Sequence, residues 1–199
     1  MNPITVQDIL EAGKHASLTG SVLGEWAEKG TPKQREYLHG VLLAEHESRL
    51  ESRRQRLLKS ARLPAMKSLT GFDYSSVRFP TDYGREALES LDFINHSQDL
   101  VLYGDVGTGK THMASALVAA ACRQGIQARF FTTSSLVMML RRAKDEDRLD
   151  KELASLAKNQ LLAIDLCRAG NYAEVLGTRA PEEALPLGSG QESTVPISA

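Results

Sequence analysis

The 199-residue chain sets 24 Lys and Arg against 25 Asp and Glu, a formal net charge of −1, with 42% hydrophobic and 25% charged residues. That balance is ordinary for a soluble globular protein, leaves room for one α/β domain with a smaller appendage, and argues neither for nor against nucleic acid. Its two cysteines, Cys122 and Cys167, lack C-x-x-C or His-rich spacing, which excludes a zinc site or disulfide framework and fits a reducing cytosol. The acidic and polar N-terminus does not read as a signal peptide, and no apolar run approaches the ~20 residues of a membrane span. A cytoplasmic protein with no membrane partner is the expectation.

In chain order, residues 5 to about 28 read as two short helices anchored by Ile9, Leu10, Val22, Leu23 and Trp26, with Thr5 or Thr19 as caps. Trp26, the one tryptophan, is expected to pack within this helical unit, with stacking on a nucleobase as the sharper alternative. Gly30-Thr31-Pro32 is a helix start: Thr31 as N-cap, Pro32 at the first helical position. From there Leu38, Val41, Leu42, Leu50, Leu57, Leu58 and Ala61 keep helical spacing to about Arg62, so one long helix is expected to end before Pro64. Its second half carries Arg49, Arg53, Arg54, Arg56, Lys59 and Arg62 against a single acid, Glu51. Such cations either complement the helix dipole on a solvated face or meet the phosphate backbone of double-stranded DNA, and the pattern leaves both open.

Residues 63 to 76 form a Pro- and Gly-punctuated connector containing Gly71-Phe72-Asp73-Tyr74. It is placed either to lie near an adenine or to pack between domains. Arg85 to Ile94 reads as one short helix.

Leu100-Val101-Leu102-Tyr103 then reads as a strand, and Gly104-Asp105-Val106-Gly107-Thr108-Gly109-Lys110-Thr111 fits G-x-x-x-x-G-K-[ST], ahead of an apolar helix from Met113 to Ala121. Each position has a physical task. Gly104 and Gly109 allow backbone angles that other residues resist and keep β-carbons away from phosphates. The backbone N–H groups from Val106 to Thr111 would share one concavity at a helix N-terminus, where the dipole favours anions. Lys110 would reach the β/γ-phosphates of ATP, and the Thr111 hydroxyl would help to hold Mg²⁺. Strand, loop and helix agree, so this is the phosphate-binding loop of a P-loop NTPase.

Beyond it, Ala128 to Thr132 reads as a second strand, and Ser134-Ser135 caps a helix that ends in Arg141-Arg142. The charged stretch from Asp145 opens another helix. Cys122, at the end of an apolar helix, reads as a buried structural thiol. Leu161-Leu162-Ala163-Ile164 is a third strand followed at once by Asp165, the Walker B pattern, in which a carboxylate at the strand's C-terminal end orients a Mg²⁺ ligand. Lys110 and Asp165 are therefore the candidate catalytic residues; Gly104 through Thr111 the nucleotide-binding ones; Thr111 and Asp165 the metal ligands.

With those residues, the chain resembles the IstB-like helper ATPases of insertion-sequence transposition, relatives of DnaC-type helicase loaders in the AAA+ superfamily. The resemblance runs from about Gly30 to Asp165. It is carried by Leu43-Ala44-Glu45 and the Arg-rich helix end, Leu63-Pro64, Phe72-Asp73-Tyr74, Gly107-Thr108-Gly109-Lys110-Thr111-His112, Leu136 to Leu140, and Leu161 to Asp165. It implies ATP-dependent self-association on DNA and recruitment of a transposase. The fold expected is an AAA+ P-loop α/β core with a parallel sheet covered by helices on both faces, incomplete at its C-terminus and preceded by a small all-α domain. The boundaries expected are a helical domain over 1–65, a connector over 66–97, a partial ATPase core over 98–165 and an irregular tail over 166–199.

The family places Glu after the Walker B Asp; here Leu166 stands there, followed by Cys167-Arg168-Ala169-Gly170. The Gly-, Pro-, Ser- and Glu-rich remainder reads as disordered and as the product of a frameshift or truncation. In the family's sheet order the strand after Walker B inserts between the first and third strands. Val175-Leu176 reads as too short to replace it, so bare strand edges, a weak core and an imperfect Thr111–Asp165 metal geometry are expected, with hydrolysis impaired. The other readings are a DnaC-like helicase loader in replication and a non-functional remnant that binds DNA or partners.

Overall fold

The computed structural model describes residues 3–166, 172–177 and 194–198. The chain divides into two compact units, Met1–Arg53 and Arg54–Ala199. No described helix is long and apolar enough to cross a membrane.

The first unit holds α1 (Val6–Gly13), α2 (Gly20–Lys29) and most of α3 (Pro32–Ser60). Thr5 starts α1 with a capping box: its hydroxyl accepts from the Asp8 N–H at 3.2 Å, and the Asp8 carboxylate accepts from the Thr5 N–H at 2.8 Å. Thr31 and Gln34 repeat that exchange ahead of α3. Ile9, Leu23, Ala27 and Leu42 form the small core. Gly13 is required there, because a β-carbon on it would stand 2.2 Å from Leu23 Cδ2. Trp26 departs from expectation. It is 66% exposed, because Leu23 and Ala27 take the inward positions of α2, and Lys29 Nζ lies 5.7 Å from its ring centroid.

The second unit begins inside α3, earlier than the boundary at 65, because Leu57, Leu58 and Ala61 pack into the core of this unit. The Ala61 carbonyl also accepts from the Phe130 N–H at 2.8 Å. The helix expected over 85–94 is two: α4 (Arg85–Ser90) and α5 (Asp92–Asn95), broken where Leu91 turns left-handed at φ 64°. The strain at Leu91 is offset by burial, since Leu88, Leu91 and Phe93 all lie in the core. The remaining elements are β1 (Asp99–Tyr103), α6 (Lys110–Arg123), β2 (Ala128–Thr132), α7 (Thr133–Asp145), α8 (Leu149–Ala157), β3 (Leu161–Asp165), β4 (Tyr172–Gly177) and β5 (Thr194–Ser198). Helix α7 starts one residue earlier than Ser134, on a Thr132–Ser135 capping box. Helix α6 is apolar almost all round and buries Met113, Leu117, Val118 and Cys122 among others. Burial also pushes the Cys122 thiol above its ordinary range, consistent with an inert structural role.

The sheet order is β2-β3-β4-β1-β5. Pairs β2–β3 and β1–β5 are parallel, as an α/β P-loop core requires, but β4 lies between β1 and β3 and runs antiparallel to both. Two expectations change here. The sheet is mixed rather than wholly parallel, and the tail over 166–199 contributes strands at 172–177 and 194–198. The expected gap between β1 and β3 is filled. Antiparallel pairing explains how so short a segment suffices, since a hairpin return needs no crossover helix. At the outer edge, Arg78 and Ser198 exchange backbone hydrogen bonds at 2.7 and 3.1 Å, covering the end of β5. The expected irregularity over 167–171 and 178–193 lies outside the described residues.

Two measurements check this architecture. Tyr83 is 6% exposed and burial pushes its phenol from 10.0 to about 12. A folded pKa above the unfolded one means that the unfolded state loses its proton first, so stability falls as pH rises from 10 towards 12. In denaturant titrations Tyr83→Phe is expected to flatten that alkaline decline. A chain ending at Leu166 leaves β1 and β3 without the strand that both bond to, and its unfolding is expected to lose cooperativity in calorimetry.

Candidate nucleotide-binding site

The loop from Gly104 to Gly109 joins the C-terminal end of β1 to the first turn of α6, and its form is set by three glycines with positive φ: Gly104 at 140°, Gly107 at 90° and Gly109 at 91°. Gly109 is the left-handed N-cap of α6, with no side-chain cap of its own. The uncapped first N–H groups of a 14-residue helix therefore face the loop, a ready anion site. Around Gly107 there is open space within 4 Å, whereas a β-carbon at Gly109 would stand 3.2 Å from Phe72 Cε2 and Cζ.

Side chains complete the cradle. Lys110 Nζ donates to the Gly104 carbonyl at 2.8 Å and the Asp105 carbonyl at 2.5 Å, and lies 3.3 Å from Thr108 Oγ1. Thr108 Oγ1 donates to the Asp105 carbonyl at 2.9 Å. The ammonium thus sits inside the loop, where a phosphate oxygen would compete with neutral carbonyls for its protons. An anionic phosphate oxygen adds a charge–charge attraction to the ammonium that a neutral carbonyl lacks, which favours phosphate in that competition. Val106 projects into solvent, 92% exposed.

Thr111 and Asp165 are brought together across 54 residues of sequence: Thr111 Oγ1 donates to Asp165 Oδ2 at 2.9 Å. Asp165 is 5% exposed, and its backbone carbonyl accepts from Thr133 Oγ1 at 3.2 Å. With β4 between β1 and β3, the two side chains meet. Sequence reasoning misses Thr133. Its signal is its position directly after β2, which the β2–β3 register sets beside Asp165 through the Thr132–Asp165 pair. As a metal site the pair offers a hydroxyl and a carboxylate, hard oxygen donors that suit Mg²⁺ where phosphates and water supply the other ligands. No group of three or more His, Cys, Asp or Glu able to hold a metal occurs among the described residues.

The aromatic connector packs beside the loop. Phe72 meets Tyr74 edge-on at 5.0 Å and His112 at 5.2 Å between ring centroids, and the Arg85 guanidinium lies 4.4 Å over the Tyr74 ring. Burial pushes the Tyr74 phenol up to about 12. The candidate DNA contacts separate by unit. Arg49 is tied within the first, to Glu45 at 2.6 Å and to the His15 carbonyl and Ser17 Oγ at 3.2 Å. Arg53 is exposed in the same unit. In the second unit Arg56, Lys59 and Arg62 are exposed and Arg54 is half-buried.

Gly109→Ala is expected to lower stability in denaturant unfolding by about 1–3 kcal/mol through φ strain alone, with a further cost from the Phe72 ring. Gly107→Ala carries the strain without the clash, so its loss should be the smaller of the two.

Comparison with known proteins supplies the family. Residues 21–171 match the family described as IstB-like ATP binding protein. A proposed ATP-binding protein of insertion sequence IS21 from Pseudomonas aeruginosa is 34% identical over 155 residues, covering 76% of this chain and 57% of the relative. Its counterpart in insertion sequence IS5376 of Geobacillus stearothermophilus is 31% identical over 145 residues, 73% of this chain and 58% of the relative. An IS21-like one from Bacteroides fragilis is 29% identical over 165 residues, 80% and 62%. The chain thus spans about three fifths of the length of the curated relatives it matches. A P-loop, a Walker B carboxylate bonded to it and a match over three quarters of the chain agree, and the chain belongs to the IstB-like ATP-binding protein family.

Proposed function

We propose that this protein is an ATP-binding helper of insertion-sequence transposition that assembles on double-stranded DNA and assists a transposase. The observation that supports it most is the Thr111–Asp165 hydrogen bond at 2.9 Å, which sets a Walker A hydroxyl and a Walker B carboxylate at one point beside the phosphate cradle. Relatives named for insertion sequences favour transposition over helicase loading.

In this reading the N–H groups of the loop and the first turn of α6 take the phosphates, and Lys110 exchanges the Gly104 and Asp105 carbonyls for β/γ-phosphate oxygens. Thr111 and Asp165 hold Mg²⁺, which when bound supplies neutralisation of phosphate charge. Thr133 fixes the end of β3 and so the Asp165 carboxylate. Hydrolysis is impaired, because the residue after Asp165 is Leu166, which cannot accept a proton from water or orient it by hydrogen bonding. The exposed Arg53, Arg56, Lys59 and Arg62, together with Arg54 and Arg49, would meet the DNA backbone. Arg49 would have to exchange its Glu45 pair for phosphate.

Lys110→Ala is expected to weaken ATP binding by about 1.5–3 kcal/mol, roughly ten- to a hundredfold, in equilibrium titration with a fluorescent ATP analogue. Equal affinity for wild type and variant would refute the site. ATP turnover measured with and without double-stranded DNA should stay well below the ~1 s⁻¹ low end of typical enzymes, and Leu166→Glu should raise it if the missing carboxylate is the cause.

A further inference from the structure

Two contacts tie the first turn of α6 to the connector after α3. The Phe72 ring packs beside Gly109, its Cε2 and Cζ 3.2 Å from where a β-carbon would stand. Three residues on, His112 Nε2 lies 3.0 Å from the Ser68 carbonyl, and its ring is 5.2 Å from that of Phe72. The connector has a second anchor at its start, where Ala61 is wholly buried and its carbonyl accepts from the Phe130 N–H of β2 at 2.8 Å. Between the anchors run residues 62–67, exposed apart from Leu63, with a cation at each end, Arg62 and Lys67. Lys67 immediately precedes the Ser68 that His112 holds. Exposed Arg56 and Lys59 stand just upstream on the last turns of α3.

We infer that Phe72 and His112 form a relay through which phosphate in the Gly104–Thr111 loop sets the position of the cationic strap over residues 62–67, and so tunes its grip on DNA phosphates. This rests on the proposed binding of ATP and DNA. The physical course is short. Gly109 and His112 belong to the same helical turn as Lys110 and Thr111, the residues whose N–H groups and side chains a triphosphate would engage. A helical turn moves as a unit, so closure of the loop on phosphate displaces Gly109 and His112 together. The ring packed on Gly109 and the carbonyl held by His112 move with them. Six residues between two fixed points cannot absorb that shift unseen, and the far point is pinned to β2. Linkage makes the relay reciprocal: DNA on the strap raises ATP affinity by the same factor as ATP raises DNA affinity.

The test uses the full chain, a fluorescein-labelled DNA duplex and a non-hydrolysable ATP analogue with Mg²⁺. In wild type the analogue should change duplex affinity by about fivefold or more, the lower range of measured allosteric couplings. His112→Ala should keep its affinity for the analogue alone while the change in duplex affinity collapses towards unity. Hydrogen exchange gives a readout independent of DNA: amides over 62–70 should gain protection on adding the analogue in wild type and not in His112→Ala, with Phe72→Leu intermediate. Full coupling in His112→Ala overturns the relay, as does exchange over 62–70 that ignores an analogue shown to bind. If the analogue binds and shifts exchange but no duplex binds, the DNA reading falls and the relay within the ATPase unit stands. If the analogue does not bind, the proposed function falls and the relay with it.

Discussion

The hydrogen bond from Thr111 to Asp165 is the constraint on which the site depends, because its partners are positioned by two strands, β1 and β3, that do not pair with each other. Thr111 is set by β1 through the loop; Asp165 ends β3. With β4 between them, β1 and β3 stand two interstrand spacings apart, roughly 9–10 Å. A hydroxyl on the first turn of α6 then bridges to a carboxylate at the end of β3 only if that spacing is held. The registers show how it is held: Ala173 pairs with Leu102 on one side and Asp165 on the other, and Tyr172 pairs with Tyr103, the residue that opens the loop. The strand that completes the sheet therefore sits directly beneath the phosphate cradle, and backbone pairing there sets side-chain chemistry above.

The features legible in the residues divide from those that are not by the range of the forces involved. Gly104 to Thr111 is legible because a left-handed glycine, a helix start and a lysine act over a few residues. Thr5 and Thr31 are legible for the same reason. The Asp165 assignment needs only an apolar strand ending in an acid downstream of that loop. Strand β4 is not legible. Tyr172-Ala173-Glu174-Val175-Leu176-Gly177 is short and broken by a glutamate, and its place comes from two strands far away in sequence whose backbone groups need partners. Leu91 is hidden by a different cause: a left-handed leucine is unfavourable locally and persists because its own side chain is buried with those of Leu88 and Phe93. Trp26 misleads because residue type alone predicts burial, whereas Leu23 and Ala27 are the α2 residues that the small core takes beside Ile9 and Leu42.

The groups proposed to bind phosphate and the group that would position water make different demands on the chain. The groups that would take phosphate are held by bonds within the loop and the first turn of α6: the Gly104 and Asp105 carbonyls hold Lys110, Thr108 braces Asp105, and Gly109 opens α6. The bonds that shape this cradle are local, although β1, which leads into it, takes its place in the sheet from β4 and β5. A group that positions water is different, since it must stand at the carboxyl edge of the sheet beyond the phosphates, where the chain continues past Asp165. Leu166 occupies the first such place with a side chain that has neither donor nor acceptor. Thr133 is a described hydroxyl on that edge, but it donates to the Asp165 carbonyl and is engaged in holding the strand end. A threonine hydroxyl also cannot take up a proton at neutral pH as a carboxylate can, so it can orient a water and not activate it. Under the proposed function, a triphosphate held in the Gly104–Thr111 loop would therefore act more as a signal carried by contacts than as a reactant.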